Sequence, residues 1–205
     1  MITGEAARLG EQAAHDLART ERYRIGPGLS EAEFSRVEGR YGFEFADDHR
    51  AFLAVGLPLN APIPEQDGVV HTHAGPWPDW RDGDPEELLE RLSRPIHGVL
   101  FDVEHNRYWH ESWDARPDDP AEARTTAEHH LQAVPRMIPI YSHRYLPAGR
   151  AAYGHPVLSM SQTDIICYGV DLVDYIHHEF GGPDADPAKP GRPPQPTVPF
   201  WRDFL

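Results

Sequence analysis

A single cysteine, Cys167, stands in 205 residues, and that scarcity excludes an internal disulfide framework. Such usage fits a reducing compartment best, so the chain is expected to be cytoplasmic. Long hydrophobic runs are missing too. No stretch approaches the roughly 18 consecutive apolar residues that a membrane span requires. The opening MITGEAARLGEQAAHDLART carries acids and has no long apolar core, so it does not read as a secretory signal. Basic residues are few and scattered, with 19 Lys and Arg against 33 Asp and Glu and a formal net charge of -14. That distribution has no nucleic-acid footprint, and it repels anionic lipid while attracting a basic partner at long range. The same acidity also serves plain solubility. Short catalytic signatures are absent as well: HExxH, paired cysteines, GxSxG, Walker A and GxGxxG patterns do not occur. The sequence therefore assigns no catalytic residue and no cofactor.

What is present is the grammar of a packed α+β protein. Hydrophobic residues make up 40% of the chain, enough for one domain with a full core, or a domain with an appendage. Residues 3–20 predict a first helix, with Ala6, Leu9, Ala13 and Leu17 at helical spacing. LSEAEFSRVEGRYG predicts a second. Ser30 and Glu33 form a capping box, Leu29 and Phe34 a hydrophobic staple, Phe34, Val37 and Tyr41 one apolar face, and Gly42 the stop. DDHRAFLAVG predicts a third, with Phe52 and Val55 inward and Gly56 closing it. Residues 57–83 read as a proline-rich loop carrying Trp77 and Trp80. In DPEELLERL, Asp84 caps, Pro85 takes the first helical position and Glu87 completes a box. Pro95 is expected to end that helix, so that IHGVLFDVE (96–104) forms a buried strand. Asp119, Pro120 and Glu122 repeat the capping pattern, with Leu131 and Val134 inward and Pro135 as the stop.

MIPIY (137–141), PVLSMS (156–161) and DIICYG (164–169) read as strands. A last helix over residues 171–180 turns Leu172, Tyr175, Ile176 and Phe180 inward and places His177 and His178 where the helix dipole favours positive charge. Residues 181–199 read as irregular. The closing VPFWRDFL is too apolar for an idle tail, and Phe200, Trp201 and Leu205 are expected to dock. Helices early, strands late and one helix after the last strand make an α+β fold.

Four segments in this order resemble the SUKH superfamily, which includes bacterial toxin-immunity proteins and fungal regulators of cell-wall synthesis. They are LSEAEFSRVEGRYGFEFADDHRAFLAVG; GVLFDVEHNRYWHESWDARP, similar to a tryptophan-bearing segment of actinobacterial members; MIPIYSHRYLP; and HPVLSMSQTDIICYGVDLVDYIHHEF. The resemblance implies a single α+β domain over residues 1–180, with a twisted, mainly antiparallel sheet flanked by helices. Residues 1–28 would be an N-terminal helical extension, and 181–205 a tail with a docking end. It also implies a protein-binding role, typically neutralisation of a cognate toxin, and carries over no catalytic residue. One departure stands out: VGLPLNAPIP occupies the place where many members have a glycine-rich loop.

Two sets of residues are candidates for chemistry. Trp77, Trp80, Tyr108, Trp109 and Trp113, with His143, Arg144 and Tyr145, are candidate partner- or ligand-binding residues, because binding hot spots prefer aromatic and arginine side chains. The same aromatics can equally form a satellite core under long loops. In SQTDIICYG, Asp164 reads as a structural anchor together with Tyr168 and Gly169. Its carboxylate can accept backbone N–H groups of the SQT segment or pair with Arg144. A general acid or base there would need a second carboxylate or a histidine beside it, with His143 and His155 as the candidates. Thirteen histidines open a metal reading, with His71, His73 and His110 as the alternative ligand set, but no metal is assigned without further converging ligands. Cys167 lies inside an apolar strand and reads as an inert thiol. The expectation is a non-enzymatic interaction module that holds a protein partner, a basic toxin being the type case. The alternative is a metal- or small-molecule-binding protein, or an enzyme, with a pocket of His71, His73, His110, His143 and Asp164.

Overall fold

The computed structural model describes residues 3–60, 75–181 and 197–205. In chain order these form α1 (Gly4–Arg19), β1 (Arg24–Pro27), α2 (Glu31–Tyr41), α3 (Asp47–Val55), β2 (Gly56–Leu59), α4 (Pro85–His105), α5 (Pro120–Leu131), β3 (Met137–Tyr141), β4 (Arg144–Pro147), β5 (Val157–Ser161), β6 (Asp164–Gly169) and α6 (Leu172–Phe180), closed by a 3₁₀ turn, Trp201–Phe204. The fold is α+β. β1 and β2 pair antiparallel as a small sheet, and β3–β4–β5–β6 form a four-stranded antiparallel meander. The predicted strands β3, β5 and β6 are present, whereas β1, β2 and β4 had no clear signal in the sequence.

Strand alternation gives the meander two apolar faces. Ile138, Ile140, Leu146 and Val157 point into a core shared with α1, α2, α3 and α6. Met137, Tyr145, Leu158, Met160 and Ile165 point into a second core shared with α4, α5 and the docked C-terminal segment. Helices thus cover both sides of the sheet. The caps behave as their chemistry requires. Ser30 Oγ accepts the Glu33 N–H at 3.3 Å, and Glu33 Oε2 accepts the Ser30 N–H at 2.7 Å. Gly42 ends α2 at φ 68°, a left-handed conformation that favours glycine. Asp84 and Asp119 each accept two first-turn N–H groups. The Glu87 carboxylate turns instead to Arg91 Nε, 2.9 Å away.

Pro95 does not end a helix, and residues 96–104 are not a strand: α4 runs unbroken through both. Proline has no N–H, so the Arg91 carbonyl loses its partner four residues on. The buried hydroxyl of Tyr145 donates to that carbonyl at 3.1 Å and replaces the missing bond. Beyond the proline, Val99, Leu100 and Val103 are buried while Phe101 is exposed, which is helical rather than strand periodicity. Two smaller expectations also fail. Val55, at the end of α3, is 40% exposed, and Leu205 is 53% exposed, whereas Phe200 and Trp201 dock as anticipated. Trp201 is fully buried, and its Nε1–H donates to the Pro135 carbonyl at 2.7 Å.

Candidate functional site

The register of the meander places Tyr141, Arg144, Ser159 and Ile166 in one row across the sheet. Arg144 is buried at the centre of it. Its Nη1 donates to Ser159 Oγ at 3.0 Å, its Nε lies 3.3 Å from Glu179 Oε2 on α6, and its guanidinium sits 3.7 Å above the Tyr168 ring. An opposite charge, a hydroxyl and an aromatic face together offset the desolvation of a buried cation. Tyr141 and Tyr23 share a hydrogen bond of 3.0 Å. Burial first, and then that hydrogen bond, pushes the Tyr141 phenol up. His143 sits beside the row, with Nδ1 3.1 Å from Ser142 Oγ, and burial followed by the Arg144 charge pushes it down. Tyr145 points to the opposite face and is committed to the Arg91 carbonyl.

Asp164, by contrast, is exposed at the start of β6, and Arg144 takes Glu179 rather than Asp164 as its acid. The SQT turn is anchored by Asp102 of α4. One oxygen, Oδ2, accepts both the Thr163 N–H at 2.9 Å and the Thr163 hydroxyl at 2.6 Å. Asn106 donates to the other oxygen. Burial raises the Asp102 carboxyl, but the hydrogen bonds from Thr163 and Asn106 outweigh it and hold the group below its ordinary range. Gly169 lets α6 approach β6: a Cβ there would lie 2.6 Å from the Tyr175 Cα. The cluster around Arg144 is therefore internally neutralised and ties α6 to the sheet.

The tryptophans divide into two groups. Trp77 and Trp80 are each 2% exposed and belong to the first core. Trp77 stacks on Phe180 at 5.3 Å, and the Asn60 side chain brackets its backbone with bonds of 2.8 and 2.9 Å. Trp80 packs edge-on against Phe45 at 5.3 Å. Arg81 secures this segment by pairing with Glu33 at 2.5 Å and donating to the Pro27 and Gly28 carbonyls. That contact, chiefly the Arg81 hydrogen bond, holds the Glu33 carboxyl down to about 2.

Tyr108, Trp109 and Trp113 are only half buried, on the α4–α5 connection over the second core. Trp113 is sandwiched between His130 at 5.3 Å and Phe200 at 6.1 Å, with nearly parallel rings. Trp109 meets Trp113 edge to face at 5.0 Å, and its Nε1–H donates to the Asp114 carbonyl at 2.6 Å. Tyr108 stacks on Phe204 at 5.8 Å. Interleaved with these rings, Glu111, Asp114, Asp118 and Asp119 are exposed. Arg116 reaches inward instead, donating to the Val103 carbonyl at 3.0 Å. The outcome is an interlocked aromatic patch among carboxylates.

His71 and His73 lie outside the described residues. His110 is buried, with Nδ1 2.8 Å from Ser112 Oγ and Nε2 3.4 Å from Asp203 Oδ2. Among the described residues, no group of three or more His, Cys, Asp or Glu side chains gathers to hold a metal ion. Cys167 is half buried, and burial pushes its thiol up, away from the reactive thiolate. Asp48 and His49 of α3 carry no sequence signal, yet both are buried. Asp48 accepts the Gly154 and His49 N–H groups at 2.8 Å each, and burial pushes its carboxyl up to about 6. Burial pushes His49 down to about 3. A further buried acid, Asp16, joins α1 to α6 through His177 Nε2 at 2.7 Å.

Among the described residues, no helix is long and apolar enough to cross a membrane. Compared with protein-family models, with curated proteins and with solved structures, the chain finds no match.

Proposed function

We propose that this chain is a non-enzymatic protein-interaction module, an immunity or regulatory protein of the SUKH type that binds and occludes a basic partner protein in the cytoplasm. The observation that carries this reading is the α4–α5 connection, where half-buried Trp109 and Trp113 are held edge to face among the exposed carboxylates of Glu111, Asp114, Asp118 and Asp119. An antiparallel sheet between helices, the architecture that the family resemblance implies, supports it further.

The mechanism is physical occlusion. A net charge of -14 draws a basic surface in and orients it. Pre-ordered aromatic rings then lose little side-chain freedom on contact and set the residence time. Trp77 and Trp80 take no direct part, because the protein's own core covers them. Purification of the tagged chain from cells that express it naturally tests the reading, with mass spectrometry of proteins, metals and small molecules. The expected result is one stoichiometric basic protein whose retention weakens as salt is raised, because screening shortens the reach of surface charge to about 8 Å at physiological ionic strength. A chain that emerges without a protein partner but loaded with a metal or an organic ligand overturns it.

A further inference from the structure

A groove of about 350 Å³ opens between the middle of α4 and the segment joining α5 to β3. Its volume falls within the range of small-molecule sites, roughly 300–1,000 Å³. The lining is mostly apolar. Ile96 contributes from α4, Leu131 and Val134 from the opposite side, and the buried Trp201 from the docked C-terminal segment. Leu89, 55% exposed, adds an apolar side chain from the first half of α4.

The charge of the lining is opposite to that of the chain. Acids outnumber Lys and Arg by 33 to 19 overall, yet no Asp or Glu lines this groove, and its ionisable residues are His97 and Arg136. Arg136 does not sweep freely, since its Nη1 donates to the Tyr41 carbonyl at 2.6 Å. Apolar contact is non-directional and holds any hydrocarbon chain, so the head group decides which amphiphile fits. A guanidinium beside an apolar trough favours a carboxylate, which it can meet with charge-assisted hydrogen bonds, and disfavours an ammonium.

We propose that this groove binds an amphiphilic carboxylate, with the chain laid along Leu89, Ile96 and Val134 and the head directed to Arg136 and His97. The proposal is independent of partner binding by the α4–α5 connection. Calorimetric titration of the full chain with octanoate, octylamine and octanol tests it. Octanoate should bind saturably at one site and at least about tenfold more tightly than octylamine, the ratio expected for one charge-assisted contact. Leu89→Glu places a like charge in the lining at a site exposed enough to leave the fold intact, and should weaken octanoate by about tenfold with an unchanged melting temperature. Arg136→Gln should reduce octanoate to the affinity of octanol. Non-saturable octanoate binding, octylamine matching octanoate, or an unchanged octanoate affinity in Leu89→Glu overturns the proposal.

Discussion

Replacing Tyr145 by phenylalanine removes one oxygen from the interior, and its effect should be felt in a helix that the sequence does not connect to it. Tyr145 is fully buried, and its hydroxyl donates to the Arg91 carbonyl at 3.1 Å, the carbonyl that Pro95 deprives of an N–H donor. Phenylalanine fills nearly the same space, so no cavity opens, but the carbonyl is left buried and unpaired. That costs about 1–3 kcal/mol. For a protein of this size each kcal/mol lowers the melting temperature by about 2–4 °C, so a drop of about 4–8 °C is expected from the middle of that range. The diagnostic comparison is Pro95→Ala, which restores an N–H four residues after Arg91. In that background Tyr145→Phe should cost less than about 0.5 kcal/mol, giving a coupling of about 1–2 kcal/mol in a double-mutant cycle. Urea unfolding of the four proteins measures it, provided their denaturant slopes agree. An equal Tyr145→Phe cost in both backgrounds would refute the assignment of the hydroxyl to the carbonyl freed by the proline.

Asp48 is pushed up to about 6 from an ordinary 3.8, so between those values the folded chain holds the extra proton; its contribution favours folding at low pH and is lost as pH rises through about 6. His49, pushed down to about 3, acts in the opposite sense, its contribution being present at neutral pH and lost as pH falls below about 6.5. Asp48→Ala should therefore be more damaging at pH 4 than at pH 8, by about 2–3 kcal/mol, and a deficit that does not vary with pH in urea unfolding would contradict this. Gly169→Ala should destabilise by more than about 2 kcal/mol, because the new Cβ meets the Tyr175 backbone at 2.6 Å. Gly39→Ala, with nothing within 4 Å on α2, should stabilise by about 0.5–1 kcal/mol; similar melting shifts in the two variants would count against this packing. Trp201→Ala should cost about 3–5 kcal/mol and expose the C-terminal end to proteolysis, whereas Leu205→Ala should change stability by less than about 0.5 kcal/mol.

Local chemistry made much of the fold legible. The capping residues Ser30, Asp84 and Asp119 each mark a real helix start, and DIICYG marks a real strand. What escaped was whatever depends on a partner distant in sequence. Pro95 normally stops a helix, and only a tyrosine 50 residues later, supplying the missing donor, lets this one continue. DDHR looks like a solvated helix face, yet Asp47, Asp48, His49 and Arg50 are all buried. Asp48 finds the Gly154 N–H, Asp47 N–H finds the Ala152 carbonyl, and Arg50 finds Glu38 at 3.2 Å while lying 3.9 Å above the Phe34 ring. Of the site residues, Arg144 and Tyr168 do meet, but the acids that complete and anchor their neighbourhood are Glu179 and Asp102 rather than Asp164. Aromatic content alone could not divide buried Trp77 and Trp80 from half-buried Trp109 and Trp113, because the same composition suits a core and a contact surface.

Partner recognition is tested most directly by comparing capture from the native host by three forms of the tagged chain: unaltered, Glu111→Lys with Asp118→Lys, and Trp109→Ala. Glu111 and Asp118 are exposed, so their reversal should leave the melting temperature unchanged. The prediction is that the unaltered chain retains a stoichiometric basic protein, that the charge-reversed chain retains it at least about tenfold less well, and that Trp109→Ala shortens its residence. Equal retention by all three forms would contradict the assignment of the α4–α5 connection as the binding surface, and retention of no protein by any of them would contradict the interaction reading itself.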